Sequence, residues 1–276
     1  NFYIGNNPRA DGTYASIRFG RGAPEFERTD ATEVAEASVG RSLSPAEVSS
    51  CWTGRALGFM TSEPAAWLRL TGRKILLLVN RTEMLDTESQ ESYADWSAPI
   101  AIGGWVGHFG LLVPLAVLGL IVTWQDRHRL WILHALTITY ALSVVMFYVF
   151  ARYRYPLVPF LLLFAAAPFD PFDSKLRSLR AQLLAQGKLK WLTAASIATV
   201  AVVANVPLLS PTLMQAITEN NLGTALQEHQ RYDEAIRHHQ QAIALVPDYA
   251  PAYNNLGAAL RATGRVDEAV DRKSVV

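Results

Sequence analysis

In this 276-residue sequence, the residue types and spacing best suited to chemistry are those of Arg152-Tyr153-Arg154. Two guanidiniums at i and i+2 can hold a phosphate or pyrophosphate through bidentate bonds in a partly dry site. The same residues also suit an interfacial anchor, with the arginines snorkelling and Tyr153 and Tyr155 in an aromatic belt. Arg73 and Lys74 form a second basic pair on a leucine-rich segment and are further candidates for lipid phosphate. The acids of the same region, Asp11, Asp86 and Glu88, read as turn or surface carboxylates, so no catalytic residue is identified among them. His108 and His134 interrupt apolar runs and read as histidines bonded to a neighbouring helix. His229, His238 and His239 read as part of a polar helical surface without metal-ligand spacing. A single cysteine, Cys51, forbids an intrachain disulfide and lacks the Cys/His partners of a zinc site, so no cofactor or metal is implied.

The elements that must position these groups follow from where the charge lies. Lysine and arginine number 25 against 24 acids, a net charge of +1, which excludes a strongly basic nucleic-acid binder. From Trp105 to Phe169, however, only Asp126, Arg127, Arg129, Arg152 and Arg154 are charged. Trp105 to Trp124 is 20 residues without a formal charge. That matches about 30 Å of hydrocarbon at about 1.5 Å per residue. Similar runs cover 130–150 and 191–209, and a fourth, 155–169, is broken by Pro156, Pro159 and Pro168 and predicts a kinked span. The basic loop 170–190 carries Lys175, Arg177, Arg180, Lys188 and Lys190, and the turn 125–129 adds Arg127 and Arg129. By the positive-inside rule this face is cytoplasmic, which places residues 1–104 and the chain beyond Leu209 outside, on the periplasmic side of a bacterial inner membrane.

Residues 1–104 read as turns followed by helices. Asp30 with Glu33, and Ser44-Pro45-Ala46-Glu47, have the pattern of capping boxes. The second of these helices is predicted to end near Thr61, before Pro64. A third, Pro64 to about Val79, sets Trp67, Leu68, Leu70 and Ile75 through Val79 beside Arg69, Arg73 and Lys74. Its composition suits the headgroup layer of a membrane. Asn80-Arg81-Thr82 fits a glycosylation sequon, a match frequent by chance.

Three segments in order carry a family resemblance. They are Asn1-Phe2-Tyr3-Ile4-Gly5-Asn6-Asn7-Pro8 with Asp11-Gly12-Thr13-Tyr14, the helix Pro64-x-x-Trp67-Leu68-x-Leu70-x-Gly72-Arg73-Lys74, and Arg152-Tyr153-Arg154-Tyr155-Pro156-x-x-Pro159-Phe160. Together they resemble the C-terminal half of bacterial membrane glycosyltransferases of family 39, in the C-type superfamily, over roughly residues 1–170. The resemblance implies transfer of a sugar from a polyprenyl-phosphate donor to an acceptor at the outer face of the membrane. It also implies a catalytic carboxylate upstream of Asn1, so that this chain is a fragment without activity of its own.

The clearest internal signal is a repeat of period 34: Asn220-Asn221-Leu222-Gly223 recurs as Asn254-Asn255-Leu256-Gly257, and ten of 17 positions in 220–236 are identical in 254–270. With Pro247 closing the first unit, residues 216–276 resemble the tetratricopeptide repeat, a helix-turn-helix, one unit complete and one truncated. Glu219 or Tyr253 stands at its usual Trp, Leu226 or Leu260 at its usual Tyr, and His239 or Lys273 at its usual Phe. Gly223, Ala235, Gly257 and Ala269 are small where paired helices would approach closely, and Leu222 and Leu256 are the apolar positions beside the glycines. Identity stops from Arg237/Asp271 onward, and a solenoid needs about three repeats for a continuous core, so the array is expected to be incomplete.

The fold expected is therefore all-α: a multi-span transmembrane helical bundle (105–209) with an external helical segment (1–104) and a C-terminal repeat stub. Its expected partners are the lipid bilayer, a polyprenyl-phosphate-linked sugar and a protein or peptide on the repeats, and no nucleic acid. Two other functions fit the same features: a non-enzymatic membrane-anchored repeat scaffold, and an O-antigen ligase or polymerase-like protein.

Overall fold

The computed structural model describes residues 1–14, 17–18, 24–82, 84–85, 93–94, 97–169 and 187–265. Regular structure among them is helical throughout. They divide into two compact units, one of Asn1–Glu83 with Gly107–Leu208, the other of Met84–Val106 with Leu209–Val276.

The first unit begins with α1 (Phe2–Gly5), α2 (Pro24–Val39), α3 (Pro45–Ser62) and α4 (Pro64–Val79). Local chemistry sets the start of α3. Ser44 Oγ accepts from the Glu47 amide, the Glu47 carboxylate accepts from the Ser44 amide, and Pro45 occupies the first turn, where its missing N–H costs nothing. Pro64 opens α4 in the same way, and Asn80 ends it in an extended conformation. Asp30 does not start a helix. It lies in the middle of α2, 1% exposed, where its carboxylate takes the Arg18 guanidinium at 3.2 Å, so a tertiary partner explains a residue that local preference would put at the cap.

The apolar half folds into α5 (Ala98–Val106, part of the second unit), α6 (Phe109–Val122), α7 (Trp131–Met146), α8 (Ala151–Arg154), α9 (Val158–Ala166) and α10 (Gly187–Asn205). Among the described residues, one stretch is long and apolar enough to cross a membrane by length and composition, Ala98–Val122. Trp131–Met146 and Trp191–Asn205 are shorter apolar helices. The run 130–150 loses its last turn because the backbone there is used elsewhere: the Met146 carbonyl accepts from Asn6 Nδ2 and the Val149 amide donates to Gly12 O. The proline-broken run divides into a 3-10 turn (Tyr155–Leu157), α9 and a second 3-10 turn (Ala167–Phe169). Lys175, Arg177 and Arg180 of the basic loop lie outside the described residues, and α10 already begins at Gly187.

Helix α6 is the axis of the first unit, with α9 and α10 packed on it. A Cβ on Gly119 would stand 1.8 Å from the Phe164 carbonyl oxygen, so the α6–α9 approach requires glycine there. Ala116, Phe164 and Ala165 fill the centre of that contact. Pro114 sits inside α6 and cannot donate to the carbonyl four residues back, that of Gly110. Asn205 of α10 supplies the missing donor, its Nδ2 standing 2.9 Å from Gly110 O. Asn205→Leu is therefore expected to leave that carbonyl orphaned and cost about 1–3 kcal/mol in chemical denaturation of the purified protein. An unchanged midpoint would show that the proline kink needs no external donor.

The second unit contains the repeat as α11 (Pro211–Glu228), α12 (Tyr232–Leu245) and α13 (Ala250–Ala262). Ser210 Oγ accepts from the Leu213 amide, and Pro211 takes the first turn of α11.

Candidate functional site

The three segments that carry the family resemblance meet in the first unit. Asn6, 2% exposed, joins the first two of them. Its Oδ1 accepts from Trp67 Nε1 at 3.1 Å and from Lys74 Nζ at 3.2 Å, while its Nδ2 donates to Phe2 O and Met146 O. Arg73 Nε donates to Asp11 O at 2.7 Å. The Asp11 carboxylate closes an Asx turn, accepting from both the amide and the hydroxyl of Thr13, so it is engaged locally as a turn carboxylate. Asp86 and Glu88 lie outside the described residues.

The two arginines of the Arg-Tyr-Arg cluster face different surroundings. Arg154 is 1% exposed. Its Nη1 donates to Leu77 O and Thr82 O at 3.1 Å each, its Nη2 to Asn80 O at 2.6 Å, and its Cζ lies 4.0 Å from the centroid of the Phe109 ring. The guanidinium thus caps the C-terminal end of α4, where the carbonyls and the helix dipole favour a cation. Arg152 is exposed, with its guanidinium against the rings of Phe150 and Tyr153. A phosphate approaching the cluster would meet Arg152 and Tyr153, whereas both Nη groups of Arg154 already donate to the backbone. No local pattern marks the aromatic cluster beside them, in which Tyr14, Tyr148, Phe150 and Tyr153 pack with centroids 5.5–6.1 Å apart. The Tyr14 hydroxyl donates to Glu27, and burial together with that carboxylate pushes the phenol pKa up.

Asn80 is fully buried. Its Nδ2 donates to Val206 O at 2.8 Å and its Oδ1 accepts from the Thr82 amide, so the sequon is closed to modification in this fold. His134 Nδ1–H donates to the Leu130 carbonyl of its own helix, 2.8 Å away, rather than to a neighbouring helix, and the ring packs edge-on against Phe164 of α9.

Lys74 is also fully buried, on the inner face of α4, and burial lowers its pKa to about 8. The sign follows from the amine losing hydration: the folded protein holds this proton less tightly than the unfolded chain, so the penalty is complete below about pH 8 and fades as pH rises toward the ordinary lysine value. Lys74→Met is expected to flatten the rise in thermal midpoint between about pH 8 and 10. An unaltered pH profile would assign that rise to other groups.

In the second unit the glycine and the histidine of the first repeat meet. A Cβ on Gly223 of α11 would lie 2.6 Å from His239 Cε1 of α12. His239 is fully buried, contrary to its expected place on a polar surface. Its Nδ1 lies 3.1 Å from Asn220 Oδ1 and its Nε2 2.8 Å from Gln227 Oε1. Asn255 of α13 reaches back across one repeat, its Nδ2 donating to the same Asn220 oxygen at 3.1 Å and to Thr224 Oγ1 at 3.3 Å. Ile236, Leu256, Ala259 and Leu260 form the apolar contact beside this network, with Ala216, Ala242 and Ala252 buried further along. Two helices closed over a glycine, with a third laid against them after 34 residues, are the geometry of one repeat architecture.

Residues 214–273 match the tetratricopeptide repeat family.

No curated protein and no solved structure matches the chain. Repeats of this family generally mediate protein-protein contacts. Of the repeat positions, Ala235 and Leu256 are fully buried, Leu222 is half-buried, and exposed Pro247 offers its carbonyl to the Tyr253 hydroxyl at 3.0 Å. Gly257 is buried, but a Cβ there would meet nothing closer than Arg261 Nη1 at 3.7 Å, and Ala269 and Lys273 lie outside the described residues. His238 pairs with Glu219 at 2.7 Å across α11 and α12. Among the described residues no three His, Cys, Asp or Glu side chains converge as a metal site.

Proposed function

We propose that the tetratricopeptide repeats hold a protein or peptide partner at the periplasmic face of a bacterial inner membrane, and that the apolar part of the chain belongs to a membrane-embedded enzyme that passes sugar from a polyprenyl-phosphate carrier to an acceptor. One observation carries the enzymatic half. Of the three separated segments resembling family 39 glycosyltransferases, the first two are bonded directly, Asn6 to Trp67 and Lys74 and the Asp11 carbonyl to Arg73, and Arg154 of the third donates to the end of α4 just beyond the second, at Leu77, Asn80 and Thr82. Residues that serve one structure in this way explain why the segments occur together in one sequence. Embedding in a bilayer is supported by the exposure of Trp131, Ile132, Leu136, Ile138 and Leu142 on α7 and of Leu162 and Leu163 on α9, side chains too large and too many for a water-facing surface. In this proposal Arg152, with Tyr153, contacts the lipid-linked phosphate.

The test is sugar transfer from a labelled polyprenyl-phosphate donor by membranes of the source organism carrying Arg152→Ala at the native locus. Transfer is expected to fall at least tenfold at unchanged protein level. Unchanged transfer would remove the enzymatic half and leave a membrane-anchored repeat scaffold.

A further inference from the structure

Helix α4 has two faces that differ from those of a helix on a water-soluble protein. At 100° per residue, Trp67, Leu70, Lys74, Leu77 and Leu78 share one side, and all are buried or half-buried in the first unit. The opposite arc runs through Ile75, Leu68 and Leu76, with fractional exposures of 49%, 62% and 39%, and ends on exposed Arg69 and Arg73. No acidic residue occurs anywhere in Pro64–Val79. Among the described residues neither Arg69 nor Arg73 has an ion-pair partner: Arg73 donates from Nε to the backbone carbonyl of Asp11, whose carboxylate is engaged by Thr13. The outward face is thus an apolar strip with an unneutralised cationic edge, held in place from behind by the Asn6–Lys74 and Asn6–Trp67 bonds.

We propose that this face of α4 lies on the anionic headgroup layer of a membrane, with Leu68, Ile75 and Leu76 entering the acyl boundary and Arg69 and Arg73 on lipid phosphate. Charge complementarity and the apolar arc select the occupant. An acidic protein surface would satisfy the arginines but leave the leucines in contact with polar groups, whereas the boundary of an anionic bilayer offers both chemistries side by side. Lys74, which sequence alone groups with Arg73, takes no part, because it belongs to the buried face. The inference rests on the membrane setting proposed above, but not on sugar transfer, and it gives the segment between the Asn6 bonds and the Arg154 cap a fixed depth in the interface.

The test uses the full chain with Cys51→Ser and Leu68→Cys, labelled with a polarity-sensitive fluorophore and reconstituted in phosphatidylcholine with and without added phosphatidylglycerol. Glu228→Cys on α11 serves as the control site. Emission at position 68 is expected to shift to the blue and to be quenched by lipid carrying a quencher at headgroup depth, more so with phosphatidylglycerol, while the control stays open to aqueous iodide. Arg69→Gln with Arg73→Gln should raise the phosphatidylglycerol needed for half-maximal quenching by roughly fivefold per arginine removed. Iodide access at position 68 in both lipids overturns the inference. So does a blue shift that grows with protein concentration without lipid quenching, which would assign the face to a second copy of the chain. Co-flotation with phosphatidylcholine vesicles alone reads bilayer embedding separately. A chain that floats with its label in water rejects this inference and keeps the embedded reading, and a chain that does not float but is quenched by phosphatidylglycerol vesicles does the reverse.

Discussion

Arg154→Ala should destabilise the first unit by about 3–5 kcal/mol, the cost of leaving several buried carbonyls without the donor they share. The three carbonyls of Leu77, Asn80 and Thr82 lose their shared donor at once, and the ring of Phe109 loses the cation above it. Asn80 and Arg81 are also bonded to the end of α10, through Asn80 Nδ2 to Val206 O and the Arg81 amide to Ala204 O, so the loss spreads to the α4–α10 contact. Arg152→Ala, two residues away, is expected to change stability by less than about 0.5 kcal/mol, as an exposed substitution does. Arg154→Lys should recover only part of the loss, because one ammonium cannot reproduce the planar fork that reaches three carbonyls. Denaturant titration of the purified variants measures all three. Equal effects of Arg152→Ala and Arg154→Ala would contradict the cap and return both arginines to a common site. The contrast also separates fold from function: lost transfer in Arg154→Ala is explained by the fold, whereas lost transfer in a stable Arg152→Ala is not.

What the sequence disclosed and what it hid divide by range. The start of α3 at Ser44-Pro45-Ala46-Glu47 and the whole extent of α4 were legible because the bonds that fix them lie within four residues. The repeat was legible because its period is written twice. Asp30 misled, since the partner that holds it in mid-helix, Arg18, lies before α2 and follows no local rule. Trp105–Trp124 reads in sequence as one unbroken span, and nothing there ties the Pro114 inside it to Asn205, whose side chain mends the ladder at Gly110 from 95 residues away. The two arginines of the Arg-Tyr-Arg cluster looked equivalent because spacing alone cannot distinguish a side chain turned to solvent from one turned under the end of another helix. Lys74 hid for a related reason: in a helix that is apolar on both faces, a lysine carries no mark of the side it occupies, and only Asn6, 68 residues earlier, decides it. A signal was available at His239. It occupies a position where the repeat usually has a buried phenylalanine, and a buried imidazole needs partners at both nitrogens. The amide side chains of Asn220 and Gln227 supply them.

That histidine is expected to set the acid limit of the repeat region. Burial first, and then the neighbouring His238, lower the pKa of His239 to about 4. In the unfolded chain the imidazole titrates near its ordinary value of 6.5, so between pH 6.5 and about 4 the unfolded state binds a proton that the folded state refuses. Stability contributed by keeping the ring neutral is therefore complete above pH 6.5 and is lost as pH falls toward 4, a change of about 3 kcal/mol over that window. The hydrogen bonds fix which nitrogen carries the proton. Asn220 Oδ1 already accepts from Asn255, so His239 Nδ1–H donates to it, and Nε2 accepts from Gln227 once that amide turns its NH2 inward. His239→Phe restores the residue usual in the repeat, fills the same slot beside Gly223, and should remove most of the slope between pH 6.5 and 4. The loss of two polar contacts should lower stability at pH 7 by only about 1 kcal/mol. His238→Gln, by contrast, breaks the partly exposed pair with Glu219 and is expected to leave most of the slope. Thermal midpoints of the repeat transition at stepped pH, followed by far-ultraviolet circular dichroism, measure each case. A slope that survives His239→Phe would place the titrating group elsewhere, and would mean that the Asn220–His239–Gln227 chain is polar packing without a role in the acid response.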